Sequence, residues 1–191
     1  MTIRPLSIGE LTVPLPVIQA GMGVQVATSV LAAAAARSGA IGCISSVGLG
    51  TLEGSYAQYT QESSKHLALQ IQAARRLAPQ GVIAVNVMVA LSNYDEIIGV
   101  CVREGVDLII SGAGLPISLP GLTGQSRTKL VPVISSGRAL QVIMRTWHRR
   151  YQRIPDAVIV EGPLCGGHMG FSYEQLAAPE TVPITAILRD V

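Results

Sequence analysis

The densest chemistry in this chain lies between Val158 and Gly170, in Val-Ile-Val-Glu161-Gly162-Pro-Leu-Cys165-Gly166-Gly167-His168-Met-Gly. A β-branched apolar run stops there in a glycine-rich turn that presents one histidine. Such a run reads as a buried strand, and the glycines after it mark where the strand ends. Glycine lacks Cβ, so backbone or a flat ligand can approach closely. An imidazole delivered at that point suits proton transfer near neutral pH, which makes His168 the candidate acid–base group. Cys165, beside it, could serve as a nucleophile, but no second base accompanies it, and it reads better as a small filler. His66 and His148 sit among charged residues in helical stretches and read as solvated.

Other polar and glycine-rich clusters each follow an apolar run: Gln19-Ala-Gly21-Met22-Gly23, Ser45-Ser46, Asn86, Ser111-Gly112-Ala-Gly114 and Ser135-Ser136-Gly137. The Gly21-Met22-Gly23 turn begins a dinucleotide-binding pattern, but Val26 stands where its third glycine belongs, which weakens that reading. Ser111 to Gly114 fits either a phosphate nest or a plain tight turn. Arg145, Arg149, Arg150 and Arg153 read as the solvated end of a helix, where cations suit the negative pole of the dipole.

The elements that must position these clusters alternate strand and helix. Strands are predicted at 16–19, 40–44, 82–87, 106–110, 130–134 and 157–160, with helices at 29–37, 64–78, 95–104 and 138–151. The stretch 115–129 is rich in Pro, Gly and Ser and reads as a loop or a poor helix. The pieces 172–176 and 185–191 look helical. The spacing of about 25 to 35 residues per unit is that of a βαβ repeat. Loaded strand ends in every unit favour a (β/α)8 barrel, in which they meet at one mouth, over an open sheet with one switch point. A barrel takes eight strands and about 250 residues. Six βα units are readable here, so residues 1–191 are expected to form the N-terminal part of a single barrel domain, with strands seven and eight missing.

Composition agrees with an α/β class. Nearly half of the 191 residues are apolar, with one Trp and one Phe, so the core must be aliphatic. The net charge of +2 offers no basic stripe for nucleic acid and no acidic tail. Cys43, Cys101 and Cys165 are scattered and form no CxxC pair, which argues against a metal site and for a reducing, cytoplasmic location. Neither a secretory signal nor a span long enough for a bilayer is evident, so no membrane association is expected.

Four segments, in matching order, resemble the nitronate monooxygenase family, also called 2-nitropropane dioxygenases: Pro16-Val-Ile-Gln-Ala-Gly21-Met22-Gly23, Val85-Asn86-Val87, Asp107-Leu-Ile-Ile-Ser-Gly112-Ala-Gly114 and Glu161-Gly-Pro-Leu-Cys-Gly166-Gly167-His168. The Gly-Gly-His loop is the most specific of the four. The family consists of FMN-dependent barrel flavoproteins, and the FMN-type enoyl-acyl-carrier-protein reductases share its framework. The resemblance implies FMN as cofactor. It places the Gly21-Met22 turn against the flavin ring, Asn86 in contact with FMN, Gly166 and Gly167 beside the flavin, and His168 as the catalytic histidine. Glu161 falls where the monooxygenases often carry Gln and the reductases Glu. Ser135-Ser136 stands where the family often offers a lysine, and the loops that grip the FMN phosphate follow strands seven and eight.

The chemistry makes the same demands. A flavin ring needs a floor of backbone, which suits Gly21, Gly23, Gly112, Gly166 and Gly167, and its polar edges suit the amide of Asn86 and a neighbouring Ser135. The protein positions and tunes while the flavin carries electrons. Three readings follow. The first is an FMN-dependent oxidoreductase that oxidises nitronates or nitroalkanes with molecular oxygen. The second is an FMN-dependent enoyl reductase using NAD(P)H on an enoyl thioester. The third, from another class, is a non-catalytic partial barrel acting as an interaction subunit. Unpaired strand edges lead to the expectation of a homo-oligomer or a complementing C-terminal fragment as partner.

Overall fold

The computed structural model describes residues 3–50, 55–168, 170–177 and 181–191. An antiparallel hairpin comes first, β1 (Leu6–Ile8) and β2 (Leu11–Val13), turning at Gly9 with φ of 58°. The rest alternates: α1 (Ser29–Arg37), β3 (Ile41–Ser45), α2 (Tyr56–Leu77), β4 (Val82–Met88), α3 (Tyr94–Arg103), β5 (Leu108–Gly112), α4 (Leu119–Thr123), β6 (Lys129–Ile134), α5 (Gly137–Tyr151), β7 (Ile159–Val160), α6 (Tyr173–Ala177) and α7 (Ile184–Asp190). The five strands β3 to β7 pair in parallel, each with its sequence neighbour. This is the incomplete (β/α)8 barrel expected from the strand–helix alternation.

Several predicted elements change. The first strand, expected over 16–19, is reduced to one parallel bridge, Ile18 to Ile41, flanked by hydrogen bonds from Gln19 N to Ile41 O and from Ile41 N to Val17 O. Pro14 and Pro16 have no N–H to extend the ladder. Helix α2 begins at Tyr56 rather than at 64, because Ser55 and Gln58 form a capping box that starts the helix in a polar stretch. The 115–129 segment carries the short helix α4, with Pro120 in its first turn. The run 158–160 is only half-buried, since β7 pairs with β6 alone. Residues 51–54, between β3 and α2 in the sequence, lie outside the described residues.

Alternation along the strands separates two cores. Ile83, Val85, Val87, Ile109, Leu130 and Ile134 pack against the helices, together with Leu67, Ile71, Ile97 and Trp147. Ile41, Cys43, Ala84, Leu108, Ile110 and Val131 face the other way and pack against Ile8 and Val13 of the hairpin. The hairpin therefore lies on the face that a barrel turns inward. Lys129, at the start of β6, reaches it: its Nζ is 2.6 Å from Glu10 Oε2. This contact holds the Glu10 carboxyl below the usual range.

The foot of the sheet uses one device twice. Asp107, just before β5, accepts a hydrogen bond from Ile83 N (2.7 Å) and pairs with Arg75 Nη2 (2.8 Å). Asp156, upstream of β7, accepts one from Leu130 N (2.8 Å) and pairs with Arg153 Nη2 (2.7 Å). Among the described residues no helix is long and apolar enough to cross a membrane.

Candidate functional site

The alternation that puts Ile41 and Cys43, Ala84, Leu108 and Ile110, Val131 and Val133, and Ile159 on the inward face puts Ser45, Asn86, Gly112, Ser135 and Glu161 there too, at the carboxyl ends of their strands. Register aligns them. Ser45 is opposite Asn86, and Met88 is opposite Gly112. Ile134 is opposite Val160, so Ser135 and Glu161 follow a registered pair, with Glu161 N donating to Ile134 O at 2.8 Å.

The Gly21-Met22-Gly23 turn packs onto the first part of this rim. A Cβ on Gly21 would lie 2.3 Å from Asn86 Cβ, so only glycine lets the turn sit against that side chain. At Gly23 a Cβ would meet Val47 at 3.2 Å and Ser45 Oγ at 3.5 Å. Met22 is 42% exposed. Ser46, which the strand-end pattern singled out only as part of a polar pair, is buried, and its hydroxyl has no partner among the described residues. Its backbone N–H donates to Asn86 O at 3.1 Å. Gly112 belongs to the packing as well, since a Cβ there would come within 2.9 Å of Val133.

The second part of the rim is a cleft of about 580 Å³ between the ends of β5 and β6, the start of α5 and the turn after β7. Ser135, Glu161, His168 and Gly170 line it, with Ser136, which caps α5, and Arg138 in its first turn. Its apolar wall includes Leu115, Ile134 and Val142. Gly170 is held from both sides: the Ser135 hydroxyl donates to Gly170 O at 3.0 Å, and Gly170 N donates to Glu161 Oε2 at 3.3 Å. His168 is exposed toward this space. Burial and the neighbouring Glu161 carboxylate push the Cys165 thiol up, which keeps it protonated and fits the filler role better than a nucleophile. Gly166 and Gly167 stand in open space, where a Cβ would meet nothing within 4 Å. Met169 lies outside the described residues.

The Ser111 hydroxyl is buried and lies 3.0 Å from Tyr94 Oη on α3, so this side chain belongs to the helix side of the sheet. Ala113 and Gly114, with φ of 52° and 131°, turn the chain into the cleft wall. His66 and His148 are both exposed, although His66 Nδ1 also lies 2.5 Å from Leu49 O. Gly170 and Arg138 were not foreseen. A glycine two residues after the histidine and an arginine opening a helix carry no distinctive sequence signal.

Comparison with known proteins fits this layout. The family model described as nitronate monooxygenase matches residues 4–191. Among solved structures, FabK from Thermotoga maritima is similar with a TM-score of 0.70 and 26% identity, covering 94% of this chain and 49% of that one. Its M276A mutant gives 0.69 and 26%, covering 94% and 51%. A nitroalkane oxidase from Streptomyces ansochromogenes shares the fold at 0.67 and 19% identity, covering 85% and 51%. The chain thus spans about half the length of these structures. No curated protein matches it.

Proposed function

The chain belongs to the nitronate monooxygenase family, and from that premise we propose that it supplies the flavin floor and the acid–base histidine of an FMN-dependent oxidoreductase acting on nitronates. The observation that carries this reading is the shared inward face of Ser45, Asn86, Gly112, Ser135 and Glu161, with the Gly21-Met22-Gly23 turn at one side and His168 at the other.

The residues present fit a flat ring with polar edges. Ser45, opposite Asn86 on the inward face, brings a hydroxyl to the tip of β3. Asn86 brings a donor and an acceptor at the tip of β4. Met22, Gly21 and Gly23 form an apolar and backbone surface beside them. Gly166 and Gly167 leave the space over the second part of the rim open for a planar group. FMN, when bound, supplies the electron-accepting ring.

The chain's own contribution is binding, orientation and proton movement. His168 faces a cleft with an apolar wall, where an alkyl chain is sheltered from water. As a neutral base, a ring nitrogen of His168 takes the proton α to a nitro group. As the imidazolium, it holds the nitronate oxygens by charge-assisted hydrogen bonds. Arg138, lining the same cleft, adds positive potential for an anionic substrate.

Titration of FMN into the chain, followed by flavin fluorescence, tests the floor. Oxygen consumption with an alkyl nitronate then tests the reaction. Binding together with nitronate-dependent oxygen uptake is the expected result. Reduction of a crotonyl thioester by NAD(P)H without nitronate turnover would replace this reading with the enoyl reductase. Absence of flavin binding would leave the interaction-subunit reading. His168→Asn is expected to lower turnover by about 10²- to 10⁴-fold, the usual range for a lost acid–base group. Its unfolding curve should be unchanged, because the side chain is exposed.

A further inference from the structure

We propose that Ser135 and Glu161 are positioning residues that fix His168 by clamping Gly170 between the tips of β6 and β7; this deepens the functional reading above and rests on His168 being its acid–base group. The sequence reading counts both residues among the candidate cofactor-binding positions. Their polar atoms are committed elsewhere. The Ser135 hydroxyl is spent on Gly170 O and one Glu161 oxygen on Gly170 N. The two residues follow the registered pair Ile134 and Val160, and Glu161 N is itself bonded to Ile134 O, so the clamp stands on the sheet rather than on another loop.

The loop between needs such a clamp. Gly166 and Gly167 touch nothing through a Cβ position, and Leu164 is 91% exposed. Two successive glycines leave the backbone more freedom than any other pair. The same Glu161 carboxylate also neighbours the Cys165 thiol. Cys165 N closes a turn onto Gly162 O at 3.1 Å. One side chain therefore touches the loop on both sides of the glycine pair. His168 is two residues from the clamped glycine, within about 7 Å of it along the chain, so fixing Gly170 limits where the imidazole can go. A Cβ at 170 would lie 2.5 Å from Ser135 Oγ, so a side chain there would push that hydroxyl out of the clamp.

The test uses the flavin-free chain and reads His168 directly, so it is independent of whether flavin binds. Amide exchange at Gly170 and the imidazole resonances of His168 are followed by NMR in Ser135→Ala, Glu161→Ala and Gly170→Ala. Each variant is expected to speed Gly170 exchange by about 5- to 10-fold, the equivalent of one net hydrogen bond, and to shift or broaden the His168 ring signals. In Gly170→Ala the exchange is read at the alanine amide. Amides of β3 to β5 serve as the fold control and should not change. Ser135→Thr and Glu161→Gln, which keep a donor and an acceptor, should restore the wild-type ring signals. Unchanged His168 signals and Gly170 exchange in Ser135→Ala and Glu161→Ala would overturn the clamp, and so would ring signals that the conservative variants fail to restore. A clamp that responds as expected in a chain that binds no FMN would sink the functional reading alone.

Discussion

The rim at β3 and β4 and the rim at β6 and β7 use glycine for opposite ends. Around β3 and β4 the missing Cβ is replaced by the protein itself: at the rim Gly21 by Asn86 and Gly23 by Val47, and lower on the helix side of β3 Gly42 by the Ala32 carbonyl. Around β7, Gly166 and Gly167 have no neighbour at the Cβ position, and the adjoining Leu164 and Tyr173 are 91% and 80% exposed. The first region is finished as packing. The second is held at a few points, Gly170 above all, and leaves its surface to something else. A site that must grip a rigid ring and also admit substrates benefits from both: a fixed floor and an adaptable side.

The comparison can be broken most sharply at Gly42. A Cβ there would sit 1.8 Å from Ala32 O, a backbone atom that moves only with helix α1. Gly42→Ala is expected to cost more than about 4 kcal/mol in denaturant unfolding. A loss under about 1 kcal/mol would show that the first region is not tightly finished.

Trp147 tests whether the looseness of the second region is confined to its rim. It is fully buried on α5, and its Nε1 donates to Pro116 O at 3.0 Å, tying α5 to the turn before α4. Trp147→Ala should lose about 3–5 kcal/mol. A much smaller loss would mean that the helix side of β6 and β7 is loose as well.

Alkaline titration comes next in size. Burial pushes Tyr94 up to about 12, and Ser111 Oγ is its hydrogen-bond partner. The unfolded phenol ionises near 10, so this stabilising contribution is full below that pH and is lost as pH rises through about 12. Over the window it amounts to about 2–3 kcal/mol. Burial also raises Cys43 to about 12, so its contribution falls in an overlapping alkaline range. Tyr94→Phe should make the alkaline decline of stability visibly shallower. An identical decline would remove Tyr94 from the account.

The smallest effect on folding is the most informative about ligand. Gly166→Ala meets nothing and should change stability by less than about 0.5 kcal/mol. If the open surface is flavin floor, the same change should weaken FMN binding by at least about 10-fold. Unaltered FMN affinity in Gly166→Ala would take that glycine out of the floor.

The alternating units were legible because β3 to β6 are β-branched apolar runs, each closed by polar or glycine residues. What escaped notice was local. The hairpin is written as Leu-Ser-Ile, Gly9-Glu10, Leu-Thr-Val, but three-residue strands are too short for alternation to stand out. The opening turns of α2 are polar, and only the Ser55–Gln58 box announces them. Candidate residues next to a strand end, such as Asn86 and Glu161, could be put at the rim from the pattern. The commitment of Ser135 and Glu161 to Gly170 could not, because it depends on the chain returning over 35 positions to Ser135 and over 9 to Glu161.

The paired aspartates at the foot of the sheet have a consequence at its far end. Asp107 and Asp156 each stitch an amide near the start of a neighbouring strand, Ile83 and Leu130, and an arginine holds each carboxylate in place. A strand that slipped by one residue would break its stitch and rotate its whole set of side chains through half a turn. Asn86 and Ser135 would then point into the helix layer, and Val85 and Val87 of β4 and Ile134 of β6 would take their places on the inward face. Two carboxylates far from any chemistry thus act as alignment pins, and the order of functional groups at the mouth is decided at the base.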